Sequence, residues 1–71
     1  MKEIKQRIIE VLRDRLPLSM MADVDEVESL MKQGKCRAAY SKMYEIRKNP
    51  LWSPTSEYLQ LIEMFWWEYA N

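Results

Sequence analysis

Three helix-breaking points, Pro17, Gly34 and Asn49-Pro50, cut this 71-residue chain into four short segments. Each segment repeats apolar residues every three or four positions, the spacing that puts them on one face of an α-helix. Proline lacks an amide proton and disfavours helix in the residue before it. Glycine readily takes the left-handed backbone that ends a helix. The chain is therefore expected to be all-α: a compact bundle or orthogonal array of about four short helices forming one domain. No run alternates with the period of two that a half-buried strand requires.

The first segment, from about Lys2 to Leu16, aligns Ile4, Ile8, Val11, Leu12 and Leu16, with Glu3, Arg7, Glu10 and Asp14 opposite. The second, from about Asp23 to Gln33, aligns Val24, Val27, Leu30 and Met31. Asp23 is its expected N-cap with Glu26 as capping-box partner, and Asp25 and Glu28 suit the positive end of the helix dipole. A start at Ser19, with Met20 and Met21 extending the stripe, is the alternative. The third, from about Lys35 to Lys48, has Cys36, Ala39, Met43 and Ile46 as its buried stripe. The fourth opens on Ser53 as N-cap and Pro54 as first helical residue. Its Tyr58, Leu61, Ile62, Phe65, Trp66 and Tyr69 fill one broad face.

Across the second and third segments, Leu30, Gly34, Ala39, Met43, Ile46 and Asn49-Pro50 resemble the second half of a tetratricopeptide-type hairpin, over about 25 residues. The usual first-helix signature is absent and the proline falls about one position early. The resemblance implies a helical hairpin arrived at independently, not membership of that family.

A domain this small buries only about 60% of its unfolded surface and is marginally stable. Cys36 is the one cysteine, so an internal disulfide is impossible, and without histidine a zinc site has no plausible ligand set. Stability must come from helix packing or from association. Hydrophobic residues at 48% and charged residues at 31% place the chain among folded proteins rather than disordered ones.

The same inventory argues against catalysis. There is no histidine for acid–base work at neutral pH, and Cys36, on an apolar stripe, has no base to activate it. The only glycine is already explained as a helix stop, so no phosphate-cradling loop remains. We expect a non-enzyme with no cofactor and no metal. The mixed-charge N-terminus does not read as a secretory signal, and no stretch approaches the roughly 20 apolar residues of a membrane span. The expected location is cytoplasmic, with no membrane association.

Formal net charge is zero, but the charges are segregated. Residues 19–31 hold four acids and no base, residues 32–48 six bases and one acid, and residues 53–71 three acids and no base. Two surfaces follow. On the fourth segment, Met64 and Trp67 point away from the buried face, beside Gln60, and a small core leaves nothing to cover them. The loop before it brings Leu51 and Trp52, expected to tuck against the core and to extend that surface. Exposed Trp and Met are enriched where proteins bind proteins. On the third segment, Arg37, Tyr40, Tyr44, Arg47 and Lys48 combine cations with rings that could contact phosphates and stack on bases. The bases split onto two flanks of the stripe, the ordinary position of side chains snorkelling beside a core. Of the methionines, Met20 and Met21 are expected to be partly exposed.

The leading expectation is a protein-interaction module, such as a small regulator, inhibitor or adaptor. It would bind a protein partner through Gln60, Met64, Trp67, Leu51 and Trp52, and a homodimer through that face is the simplest version. The alternative is a small nucleic-acid-binding regulator using the basic third helix.

Overall fold

The computed structural model describes residues 3–71, so Lys2, the expected start of the first helix, lies outside the described residues. Helix α1 spans Ile4–Arg15, α2 Met21–Lys32, α3 Cys36–Arg47 and α4 Ser56–Phe65. A 3-10 turn at Leu18–Met20 leads into α2, and a π turn at Trp66–Ala70 continues α4. The protein is all-α, with no strand among the described residues.

The breakers act as their chemistry requires. Leu16 N–H closes α1 on the Leu12 carbonyl at 2.9 Å, and Pro17 follows. Gly34 takes φ +76°, and its N–H meets the Met31 carbonyl at 3.1 Å while Lys35 N–H reaches the Leu30 carbonyl at 2.9 Å. That pair of bonds is a Schellman stop, which satisfies two carbonyls the helix end would otherwise orphan. It turns α2 back along α3 as a helical hairpin.

Two helix starts differ from the sequence expectation. Helix α2 begins at Met21, not Asp23, and no side chain caps it. The 3-10 turn removes the need: Met20 N–H bonds the Pro17 carbonyl and Met21 N–H the Leu18 carbonyl. Asp23 and Glu26 turn instead to Lys42 of α3. Met20 is buried rather than partly exposed, Met21 is half-buried as expected, and Leu18 beside them is 90% exposed. Helix α4 begins after Thr55, not Ser53, with Thr55 Oγ1 accepting Tyr58 N–H at 3.2 Å.

The helices close a ring around one core. Helix α1 packs between α2 and α4, while α3 packs between α2 and the α4–π-turn end of the chain. Ile8 and Leu12 from α1, Val24 and Val27 from α2, Ala39 and Met43 from α3, and Tyr58 and Phe65 from α4 meet there with no solvent exposure. Cys36 sits at the edge of this core, half-buried, rather than within it. The Cα radius of gyration is 11.0 Å. A single well-packed domain of this length is expected at about 11 Å.

Candidate interaction surfaces

Helix α4 and the π turn present one outward strip. Gln60, Glu63, Met64, Trp67 and Glu68 recur at helical spacing, and all are exposed. Trp67 is 68% exposed and Met64 50%. The opposite face explains why. Tyr58, Leu61, Ile62 and Phe65 fill the available core, and nothing else in so small a ring can cover a second apolar face.

The π turn decides how the three terminal rings separate. Asn71 N–H bonds the Trp66 carbonyl at 2.7 Å, the i to i+5 pattern. Trp66 lies half-buried against Tyr40 of α3, with ring centroids 4.9 Å apart. Tyr69 leans towards α1, where Lys5 sits over its ring at 4.3 Å and its hydroxyl donates to Glu3 Oε1 at 2.7 Å. That hydrogen bond pushes Tyr69 up to about 12. Trp67 alone of the three turns to solvent.

Leu51 and Trp52 do not extend this strip. Asn49 Oδ1 accepts the Leu51 N–H at 2.8 Å, a local turn that leaves Leu51 71% exposed instead of tucked against the core. Trp52 does turn inward, packing edge-on to Tyr58 at 5.0 Å. Both precede the N-terminus of α4, whereas Trp67 lies past its C-terminus. A rise of 1.5 Å per residue puts roughly 14 Å between the two ends of α4.

The acids of α4 are unequal. Arg7 of α1 holds Glu57 with a fork of two 2.9 Å hydrogen bonds, from Nε to Oε2 and from Nη2 to Oε1. Among the described residues no cation lies within ion-pair distance of Glu63 or Glu68. The outward strip therefore carries two apolar side chains and two uncompensated negative charges.

The basic α3 surface is largely committed to the fold. Arg37 Nε donates to the Ala70 carbonyl at 2.9 Å and so ties the chain end to α3. Lys42 bonds Asp23 at 3.1 Å, with Glu26 at 3.7 Å, and the Asp23 contact raises its pKa. Arg47 and Lys48 both lie over the Tyr44 ring, at 4.5 and 4.8 Å. Tyr44 in turn meets Tyr40 at 6.1 Å, so Tyr44, Tyr40 and Trp66 form a continuous ladder of half-buried rings. Burial raises the pKa of Tyr40, with nearby Glu63 adding to it. The ladder was not visible in the sequence. The i, i+4 spacing of Tyr40 and Tyr44 could have suggested its lower half, but Trp66 joins only through packing.

The remaining concavities are open. One, about 490 Å³, lies between α1 and α2 over Ile9 and Met31, and both charge signs line it through Lys5, Lys32, Glu10 and Glu28. Among the described residues no three potential metal ligands gather, and no helix is long and apolar enough to cross a membrane.

Fold and surfaces together define a small all-α bundle whose last helix bears an exposed, acid-flanked aromatic strip. No family model, curated protein or solved structure matches this chain.

Proposed function

We propose that the chain is a protein-interaction module, a small non-enzymatic regulator, inhibitor or adaptor, that docks through the outward strip of α4. The observation that carries this reading is the exposure of Trp67 beside Met64 on a helix whose other face already fills the core. Trp is the side chain most enriched among binding hot spots, and it loses little conformational entropy on being covered. The two side chains leave on the order of 200–300 Å² open. A patch of that size suits a small or transient interface, of less than about 1,200 Å² in total, better than an obligate one.

Affinity capture from a lysate of the source organism tests the reading, with wild type compared against Trp67→Glu and Met64→Glu. Both positions are exposed, so circular dichroism and the urea midpoint should be unchanged. A protein retained by wild type and lost from both variants supports docking there. A retained protein indifferent to both changes removes the strip as its site.

A second reading keeps one specific observation. Arg47 and Lys48 have no carboxylate partner among the described residues and stand together over Tyr44. A pair of free cations suits phosphate contacts of a nucleic-acid-binding regulator. It ranks lower because Arg37 and Lys42 already hold other parts of the chain, and the Tyr44 ring is occupied. Binding of this kind would weaken steeply with salt and with Arg47→Ala plus Lys48→Ala. Absence of any mobility shift at low salt ends it.

A further inference from the structure

We infer that the occupant of the α4 strip is a basic amphipathic helix of a partner protein. This rests on the docking reading above and adds the partner's chemistry. Glu63 and Glu68 lie on either side of the Met64–Trp67 pair, within one turn of it, exposed and, among the described residues, without a cation at ion-pair distance. Glu57, the third acid of the helix, is already neutralised by Arg7. A partner that covers Met64 and Trp67 must therefore bring two flanking groups close to carboxylates.

Cations satisfy that demand twice over. Lysine or arginine at the rim pairs with the carboxylates, and a cation near the open indole face gains a further attraction to the ring. The strip from Gln60 to Glu68 is about 12 Å long, from the 1.5 Å rise per residue. Two to three turns of a partner helix, with anchors at i, i+3 or i+4, and i+7, match that length.

The competing occupants fit less well. A second copy docked face to face would set Glu63 and Glu68 against the same acids, a like-charge arrangement that opposes association. Nucleic acid would bring phosphates to the same carboxylates.

A displayed library of random 16-residue peptides, selected on the whole chain and counter-selected on Trp67→Glu, tests this. The expected survivors carry net positive charge with apolar residues at helical spacing. Synthesised singly, they should bind the Glu63→Lys plus Glu68→Lys chain about three- to tenfold more weakly, the effect of two exposed pairs, and weaken with added salt. Survivors that are neutral or acidic, or that ignore the charge reversal, overturn the inference while leaving docking at Trp67 intact. If no peptide depends on Trp67, both fall. A wild-type dimer in sedimentation that Trp67→Glu dissociates would also overturn it, in favour of a second copy.

Discussion

The hydroxyl of Tyr58 donates a 2.7 Å hydrogen bond to the backbone carbonyl of Met43, joining α4 to α3 inside the core. Both side chains are fully buried. The bond lets a phenol occupy an apolar interior without an unsatisfied polar group, and no buried side-chain polar atom lacks a partner among the described residues. Tyr58→Phe should lower stability by about 1 kcal/mol, the net value of one buried neutral hydrogen bond. Tyr58→Ala should cost about 3–5 kcal/mol. A domain of this length holds only roughly 4–10 kcal/mol in all. Urea titration checks both: the Phe variant should shift the midpoint with its slope unchanged, and the Ala variant should shift it several times further.

The start of α4 has a sharp test. Thr55, not Ser53, holds the first-turn amide. Thr55→Ala should cost about 1 kcal/mol, and Ser53→Ala less than about 0.5 kcal/mol. The reverse order in thermal melts would return the cap to Ser53.

At Gly34 the left-handed backbone is required, but space is not. A Cβ built there meets nothing within 4 Å, so only conformation opposes a side chain. Gly34→Ala should destabilise by about 1–2 kcal/mol, the cost of left-handed backbone for an L-residue. Gly34→Asn should cost less, because asparagine tolerates that region. Equal losses would point to some other role for the position.

Alkaline pH should weaken the fold. The Tyr69 phenol, ordinarily near 10.0, is pushed up to about 12 by its bond to Glu3, and burial raises Tyr58 in the same direction. Below pH 10 both phenols are protonated whether the chain is folded or not, so their contribution is complete. Above pH 10 the unfolded chain releases those protons first, and stability falls as pH climbs towards 12. Tyr69→Phe should start less stable and lose less over that interval. With no histidine in the chain, no imidazole titrates between pH 6 and 8. Urea midpoints measured from pH 7 to 12 test the slope, and a flat profile in wild type contradicts it.

The candidate strip is legible in the sequence, because it is a property of one helix. Once Phe65 and Ile62 are assigned inward, 3.6 residues per turn place Met64 and Trp67 outward. Leu51 and Trp52 could not be read the same way. They lie in a loop, where local hydrogen bonding at Asn49 and packing on Tyr58 decide each orientation separately. Asp23 and Glu26 show the same limit, since a capping role and a bond to Lys42 are equally compatible with the local sequence.

What the sequence by itself determined is the number of helices, where they break and which face of each is apolar. Backbone geometry repeats over a few residues, and proline and glycine interrupt it locally, so these features need no knowledge of distant parts of the chain. Only the tertiary structure decided which charges are consumed and which remain. Arg13 meets Asp25 and Glu28, Lys42 meets Asp23, and Arg7 meets Glu57, each on another helix, leaving Glu63 and Glu68 unpaired among the described residues. A charge is compensated by whatever packing brings within a few ångströms, and periodicity along one helix carries no information about that.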